Sequence, residues 1–236
     1  MFFYIDWYYI LLVTPAVIFS LWASSRVNST YKRFSNQYSR KGITAEDACR
    51  KILDENGLTG VQIVHVQGHL TDHYDPRQNV IRLSDSVYGN TSTAAIGVAC
   101  HEAGHAIQYA QNYAPIKFRA AIVNVTNIGS RLSFPLILLG IFLSSSGQIW
   151  INVAYFGVAL FGLCVVFQLV TLPTEYNASS RAILALDQSG ILDSDELEGS
   201  KKVLNAAALT YVAALSVTVM QFLRLLLIVG RRGNND

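Results

Sequence analysis

Charged side chains are scarce in this chain of 236 residues. Asp, Glu, Lys and Arg make up 14% of it, against about 25% in an ordinary soluble domain. Hydrophobic residues make up 51% of the chain. This imbalance excludes a typical soluble globular protein and indicates a membrane protein. The formal net charge is only +2, so the composition gives no reason to expect a nucleic acid partner.

Cysteine is also rare, and its spacing excludes a paired-cysteine motif. The three cysteines, Cys49, Cys100 and Cys164, show no C-x-x-C arrangement, and we interpret them as reduced thiols. The amino terminus lacks a basic segment before its apolar run, and Asp6 interrupts that run. We therefore expect no cleaved signal peptide.

Four apolar stretches are long enough to cross a bilayer, which requires about 20 residues. They cover approximately residues 2–24, 122–144, 150–172 and 206–230. Only residues 145–149 separate the second stretch from the third, which predicts a tight helical hairpin.

The distribution of basic residues predicts the orientation in the membrane. The segments between spans one and two and between spans three and four hold 14 of the 18 Lys and Arg residues. Basic residues concentrate on the cytoplasmic side of membrane proteins. We therefore expect a multi-pass protein of the inner (plasma) membrane, with both segments in the cytoplasm and both termini outside.

The first cytoplasmic segment reads as a small α+β domain. A helix capped by Thr44 and closed by Gly57 precedes two β-prone runs at residues 61–66 and 80–84, with turn-forming residues between them. This pattern predicts a short antiparallel sheet. The acidic region 186–200 is predicted to be a mobile loop.

The predicted fold is a mainly α membrane protein with about four transmembrane helices and a small cytoplasmic α+β domain. Residues 1–24 form the first span and residues 25–121 the larger cytoplasmic part. Residues 122–172 form the hairpin, residues 173–205 a further cytoplasmic helix and loop, residues 206–230 the last span and residues 231–236 a tail.

The run His101-Glu102-Ala103-Gly104-His105 is the most informative part of the sequence. On a helix, the two histidines are four residues apart and share a face, so both can bind one Zn²⁺. Glu102 is then placed to accept a proton from a water molecule, as in the metallopeptidase pattern H-E-x-x-H. The alternative is a pair of hydrogen-bonded core histidines with Glu102 on a solvated face.

Catalytic zinc usually has three protein ligands, so the motif leaves one ligand to be found. The stronger candidate is Glu175, which follows Pro173 near the predicted cytoplasmic end of span three. Proline suits the first turn of a helix. The alternative is that Glu175 merely places a negative charge near a helix amino terminus.

Five runs of the sequence together resemble the bacterial membrane zinc metallopeptidases of the YugP-like family: residues 72–76, 82–84, 101–108, 175–179 and 206–214. The resemblance covers nearly the whole chain. It implies a zinc endopeptidase of the gluzincin type, in which residues 25–121 form the zincin-like metallopeptidase part. It also implies His101, His105 and Glu175 as metal ligands and Glu102 as general base.

A more distant similarity connects the chain to the HtpX and prenyl-protein (CAAX) endopeptidases. In those families an alanine and an aspartate follow the glutamate ligand, and the aspartate orients a histidine ligand. Here Ala178 matches, but Ser179 replaces the aspartate. We therefore expect the support of the histidine to come from elsewhere.

Two further roles are predicted near the motif. Tyr211, at the predicted cytoplasmic end of span four, is a candidate donor to the oxyanion of the reaction, with an interfacial aromatic anchor as the alternative. The run Ile81, Arg82, Leu83 and Ser84 is predicted to bind an extended peptide by strand addition.

The sequence thus predicts an endopeptidase that cleaves peptides or membrane proteins at the cytoplasmic membrane face. Two alternatives remain. One is a non-proteolytic membrane adaptor with a structural zinc site, which would need a fourth ligand such as His69 or His73. The other is an intramembrane protease of the site-2 type, although the Asn-x-x-Pro and Asp-Gly elements of that class are absent.

Overall fold

The computed structural model describes residues 6–233. Within this range the chain divides into two compact units. The apolar unit comprises the described parts of Met1–Ala23, Phe118–Leu172 and Tyr211–Asp236. The mixed unit comprises Ser24–Lys117 and Pro173–Thr210.

Four helical segments are long and apolar enough to cross a membrane, as predicted. The first, Tyr9–Phe34, consists of a π-helical turn at Tyr9–Val13 followed by α1 (Thr14–Phe34). The others are α4 (Ala114–Phe142), α5 (Gln148–Ser189) and α6 (Ser194–Gly233). The chain is therefore a multi-pass membrane protein. Residues 2–5 of the predicted first span lie outside the described residues.

The predicted hairpin between the second and third spans is confirmed. A short 3₁₀ turn, Ser144–Ser146, connects α4 to α5. Along the hairpin, the backbones approach so closely at Gly140 that a Cβ there would lie 2.5 Å from the backbone nitrogen of Ala154. Apolar side chains of α4, α5 and α6 then form one buried cluster: Ile137, Ile141, Ala154, Val158, Leu225 and Val229.

An ion pair compensates the charge of an arginine in the apolar unit. Both Nε and a terminal nitrogen of Arg224 donate hydrogen bonds to Oδ2 of Asp6, at 2.9 and 2.5 Å. The Arg224 guanidinium also lies 5.2 Å from the centre of the Tyr9 ring. Charged groups in membrane segments are costly unless they are paired in this way.

The mixed unit contains two more helices and a three-stranded sheet. The helices are α2 (Ala45–Glu55) and α3 (Thr93–Ala110), and the strands are β1 (Gln62–Val66), β2 (His73–Asp75) and β3 (Val80–Ser84). The side chain of Thr44 accepts a hydrogen bond from the Asp47 amide, as predicted for the cap of α2. The apolar sides of α2, β3 and α3 pack into one core with parts of α5 and α6.

The prediction of an antiparallel sheet is wrong, because the sheet is mixed. The strand order is β1-β3-β2, with β1 and β3 parallel and β2 and β3 antiparallel. A parallel pair needs a crossover of about a dozen residues or more, and residues 67–79 supply it. Part of that stretch forms β2, where only a turn was predicted.

The sequence predicts a helix break after the third span, at Pro173, and another before the fourth span, at residue 206. Neither break is present. α5 continues through Pro173 as one helix of 42 residues, so no new helix begins there. The predicted mobile loop at residues 186–200 is wrong as well, because most of it forms the end of α5 and the start of α6. The acidic side chain of Glu196 explains part of this order: it accepts hydrogen bonds from the backbone of Arg40 and Asp193, at 2.7 and 2.9 Å.

Candidate metal centre and active site

Helix α3 carries both histidines of the motif through the core of the mixed unit. It begins where the Ser92 side chain caps the helix by accepting a hydrogen bond from the Ala95 amide at 3.3 Å. Most of its residues are buried on all sides, which fixes the direction in which each side chain points. His105 and Glu102 are buried, and His101 is partly buried.

Gly104 allows α3 to pack directly against α5. A Cβ at this position would clash with the carbonyl oxygen of Ala178 and lie 3.0 Å from its carbonyl carbon. Glycine costs about 1 kcal/mol relative to alanine in a helix, and the close backbone contact explains why it is present. The approach brings Glu175, one turn earlier on α5, next to the two histidines.

Glu175 lies well inside α5 and not at a helix amino terminus. The alternative role for this residue, a charge that favours a helix start, therefore does not apply. The side chain is buried, with 4% of its surface exposed. A buried carboxylate needs a charged or hydrogen-bonding partner, and here it faces two imidazoles.

The three side chains form a cluster with the spacing of zinc ligands. Oε2 of Glu175 lies 3.3 Å from Nε2 of His101 and 3.4 Å from Nε2 of His105. Two atoms bound to one tetrahedral Zn²⁺ at roughly 2.0–2.1 Å lie about 3.3–3.4 Å apart. Among the residues that the structure describes, this is the one group of three or more His, Cys, Asp or Glu side chains that could hold a metal ion. The donor set, two imidazoles and a carboxylate, fits zinc.

The other ring nitrogen of each histidine is hydrogen-bonded, which leaves both Nε2 atoms for a metal. Nδ1 of His101 lies 3.0 Å from Oγ of Ser179, and Nδ1 of His105 lies 3.0 Å from Oε1 of Gln108. The expectation that support for the histidines comes from elsewhere than Ser179 is therefore wrong for His101. The side chain of serine is shorter than that of aspartate. Because α5 lies very close to α3, the Ser179 hydroxyl nevertheless reaches His101.

The orientation of the Gln108 amide determines the tautomer of His105. The amide nitrogen of Gln108 donates to the carbonyl oxygen of Thr174 at 2.8 Å and to Oδ1 of Asn177 at 2.9 Å. Its oxygen must therefore face Nδ1 of His105, which donates a proton to it. Nε2 is then the ring nitrogen that faces Glu175, on the side where a zinc ion would be bound.

A second layer of contacts holds this amide network in place. Arg181 donates from Nε to Oδ1 of Asn177 at 2.6 Å, and it also donates to the side chain of Gln111. Its guanidinium lies 5.7 Å from the centre of the Tyr113 ring. α3 and α5 are thus connected by side-chain hydrogen bonds beside the metal cluster as well as by backbone contact.

Glu102 is oriented by the sheet and not by the metal cluster. Its Oε2 accepts a hydrogen bond from the backbone amide of Tyr74, in the edge strand β2, at 3.0 Å. The side chain is 7% exposed. The alternative in which Glu102 occupies a solvated face is therefore excluded.

The electrostatics of the pocket favour a cation. Burial lowers the pKa of His105, but the hydrogen bond to Glu175 and the negative charges of Glu102 and Glu175 raise it by more, so that the net pKa lies above the ordinary value. By contrast, burial raises the pKa values of the Cys49 and Cys100 thiols. Thiols held in their neutral form are poor metal ligands, in agreement with a packing role.

The other three histidines lie outside the cluster. His65 pairs with Asp85 at 2.6 Å, and His73 bonds through Nδ1 to the carbonyl oxygen of Thr71 at 2.9 Å. His69 packs edge-on against the Tyr31 ring. No fourth ligand from these residues therefore joins the cluster in the described structure.

The prediction that residues 81–84 accept an extended peptide is wrong. β3 is the central strand of the sheet, and Ile81 and Arg82 are paired with β1 on one side and β2 on the other. Immediately before β2 begins, the carboxylate of Asp72 accepts a hydrogen bond from the Ser84 amide at 2.7 Å. Ile81, Leu83 and Ser84 are fully buried. Strand addition needs an unpaired edge, and β3 has none.

Tyr211 lies in α6 and belongs to the apolar unit, whereas the metal cluster belongs to the mixed unit. Its role as an oxyanion donor stays a prediction. Sequence reasoning did not find Gln108 or the contact of Tyr74 with Glu102. The sequence held one signal for the contact of Gln108 with His105: Gln108 follows His105 by three residues and therefore lies on the same helical face.

Comparison with known proteins agrees with this geometry. Residues 9–230 match the sequence family described as "Putative neutral zinc metallopeptidase". The chain belongs to this family. It is also 43% identical over 220 residues to the "Putative membrane protease YugP" of Bacillus subtilis (strain 168), which covers 93% of this chain and 96% of that protein. No solved structure matches the chain significantly. The predicted family resemblance is confirmed, and zinc is the metal that the family and the cluster both indicate.

Proposed function

We propose that this protein is a zinc endopeptidase that hydrolyses peptide bonds at the cytoplasmic face of the plasma membrane. His101, His105 and Glu175 are the proposed metal ligands, and Glu102 is the proposed general base. The observation that carries the proposal is the meeting of both Nε2 atoms at one carboxylate oxygen of Glu175, at 3.3 and 3.4 Å. With three protein ligands, the fourth position of a tetrahedral zinc stays open for water or substrate.

The chemistry follows from the positions of these side chains. Zn²⁺ in this cluster would acidify a water molecule and polarise the scissile carbonyl group. The Glu102 carboxylate accepts the proton of the attacking water and then donates it to the leaving amine. The hydrogen bond from the Tyr74 amide occupies one of its oxygens and directs the other, while burial excludes competing solvent.

The edge strand β2 is the proposed contact for the substrate backbone. It is short and pairs with β3 on one side, whereas the amide of Tyr74 on the other side points to Glu102. An extended peptide alongside β2 would therefore pass next to the general base. Recognition through backbone hydrogen bonds is tolerant of sequence, which suits an enzyme acting on unfolded or partly exposed membrane proteins.

The cytoplasmic location rests on the distribution of charge. The mixed unit, which contains the cluster, lies in the two segments that hold most of the basic residues. Such segments stay on the cytoplasmic side during insertion. Among the described residues three side chains form the cluster and no fourth joins them, which argues against an adaptor with structural zinc, because such sites are usually closed by four protein ligands. α3 is not one of the four apolar helices, which argues against an intramembrane protease.

The decisive experiment is Glu102→Gln, which preserves size and hydrogen bonding but removes the base. We expect the variant to retain stoichiometric zinc and to lose peptide cleavage by roughly 10²-fold or more, the usual contribution of a general base. Both proteins should be purified in detergent, analysed for metal content, and assayed on an unfolded membrane-protein substrate.

A matched control is Glu55→Gln, the same substitution at an exposed position at the end of α2. It should leave zinc content and turnover unchanged. Equal turnover by Glu102→Gln and the wild type would eliminate Glu102 as the base. If no substrate is cleaved by either protein, and cells with Glu102→Gln behave as wild type, the adaptor function is favoured.

A further inference from the structure

A cavity of the mixed unit, separate from the metal cluster, is lined by basic side chains. It has a volume of about 560 Å³ and is bounded by α1, one turn of α5 and the first half of α6. Three basic side chains, Arg26, Arg33 and Lys202, line it together with the polar side chains of Thr30 and Asn205. No carboxylate is among its lining residues. The cavity therefore differs in charge from the metal cluster.

The helical spacing of these residues explains why they meet. Arg26, Thr30 and Arg33 recur at intervals of four and three on α1, so they share one face of the helix. Lys202 and Asn205 are three apart on α6 and share a face in the same way. The faces of α1 and α6 that carry these basic and polar side chains thus line the same cavity.

Two of the three cations, Arg33 and Lys202, are exposed and make only weak contacts nearby. Arg33 packs against the ring of Phe34, with 5.4 Å from its guanidinium carbon to the ring centre. Lys202 forms an ion pair with Glu198 at 3.6 Å, but both side chains are about half exposed. Such a solvent-screened pair contributes little, so the cavity keeps a positive potential.

The position of the cavity along the chain indicates the type of anion. Arg26 and Arg33 follow directly after the apolar part of the first membrane-spanning segment, Tyr9–Phe34. Residues that flank a span on its basic side lie at the level of the lipid headgroups. Part of the lining is also apolar: Phe34, Ala206 and Leu209.

We propose that this cavity binds the phosphate headgroup of an anionic phospholipid. Arg26, Arg33 and Lys202 supply the charge, Thr30 and Asn205 supply hydrogen bonds, and the apolar lining accommodates the glycerol end of the acyl chains. Basic pockets next to membrane-spanning helices on the cytoplasmic side bind headgroups in this way. Guanidinium groups suit the task because they bind two phosphate oxygens at once.

One residue that lines the cavity is the sequence neighbour of a proposed metal ligand. Tyr176, which directly follows the proposed ligand Glu175 on α5, is part of its lining. Bound lipid would therefore contact α5 beside the cluster. The binding proposal does not depend on the peptidase reaction, and it is tested without any activity measurement.

The experiment compares two double variants of equal charge in the detergent-solubilised full-length protein. Arg33→Gln with Lys202→Gln removes two cations from the cavity. Lys32→Gln with Lys201→Gln removes two cations from neighbouring positions that do not line it. Binding of short-chain phosphatidylglycerol and of phosphatidylcholine with the same chains is measured by native mass spectrometry.

We expect the wild type and the Lys32, Lys201 control to bind phosphatidylglycerol at least roughly tenfold more tightly than phosphatidylcholine, because each basic residue contributes about fivefold. The Arg33, Lys202 variant should lose this preference. Thr30→Glu, which keeps all three cations but adds a carboxylate between them, should lose it too.

Three results would overturn the proposal. The first is an equal loss of the preference for phosphatidylglycerol in both double variants, which would show that the preference comes only from general electrostatic attraction. The second is equally tight binding of glycerol phosphate, which would indicate a site for soluble phosphate. The third is binding of an acidic peptide without any preference between the two lipids, which would indicate a substrate-binding site.

Discussion

The two proposed histidine ligands are held by different partners. His105 is fixed by Gln108, a fully buried amide with two acceptors of its own, whereas His101 rests on a single serine hydroxyl. Groups that orient a metal ligand typically affect metal affinity by 10–100-fold. The cluster therefore offers two kinds of test, one on a ligand and one on a supporting side chain.

Glu175→Ala tests the third ligand. We expect this variant to lose zinc at chelator concentrations that the wild type withstands, with an affinity loss larger than the roughly 10–100-fold caused by losing a supporting group. Competition with a zinc-sensitive dye measures the affinity. Glu55→Ala, at an exposed position, is the control. Full zinc stoichiometry and affinity in Glu175→Ala would remove this residue from the site.

Ser179 and Ser180 are neighbours with different roles, which makes them a matched pair. Oγ of Ser179 contacts His101, whereas Oγ of Ser180 donates to the carbonyl oxygen of Tyr176 in its own helix. Ser179→Ala should weaken zinc binding by about 10–100-fold, and Ser180→Ala should not. Ser179→Asp should restore the affinity, because a carboxylate also accepts the Nδ1 proton. If the two alanine variants bind zinc equally well, the serine contact has no role.

The residues of the metal cluster were predictable because their chemistry leaves a local signature. His101, Glu102 and His105 form a spaced motif, and Glu175 belongs to a second recognisable run. Gln108 and Tyr74 were not predictable in the same way. Their roles depend on where one amide and one backbone N–H point, and that is decided by packing between distant segments.

The elements of the mixed unit meet through small residues. α3 contacts α5 at Gly104 and α6 at Gly97, where a Cβ would lie 3.1 Å from Cβ of Ser200. Ser200 donates in turn to the carbonyl oxygen of Thr93 at 2.7 Å. α3 therefore has little freedom to move away from the helices beside it.

Gly104→Ala tests the contact between α3 and α5. Alanine gains about 1 kcal/mol of helix propensity, but its Cβ would overlap the backbone of Ala178. Overpacking of this kind costs typically 1–3 kcal/mol. We expect a lower unfolding temperature and weaker zinc binding, because Glu175 is displaced with α5.

Gly230→Ala is the control for this substitution. It also lies in a long helix, and its Cβ would make an ordinary contact at 3.5 Å with the hydroxyl of Tyr155. Its unfolding temperature should stay the same or rise. An unchanged unfolding temperature and zinc affinity in Gly104→Ala would show that α5 shifts without cost.

The sequence predicted the existence of the elements better than their ends and pairing. Apolar length alone identified the four spans, because a membrane requires it. The parallel pairing of β1 with β3 could not be predicted, since strand direction depends on the path of residues 67–79. The continuity of α5 through Pro173 was missed for a related reason: tertiary packing overrides the local preference of proline for a helix start.

At the scale of the whole molecule, the long helix α5 runs from the apolar unit into the mixed unit. α5 has 42 residues and is therefore about 63 Å long at 1.5 Å per residue, roughly twice the 30 Å hydrocarbon core. Its first part is apolar, and its last part carries Glu175 and the residues that support His101 and His105. One helix thus contributes residues to both units.

The proposed topology places the two ends of α5 on opposite sides of the membrane. Single cysteines at Ser145 and Gln188, both exposed positions, test this in a background without the native cysteines. A membrane-impermeant thiol reagent added to intact cells should label Ser145→Cys, because the hairpin turn is predicted to face outwards. Gln188→Cys should react only after the cells are opened, because the basic segments keep that end in the cytoplasm. Labelling of both positions from outside would contradict the arrangement, and the reverse pattern would place the metal cluster on the outer face.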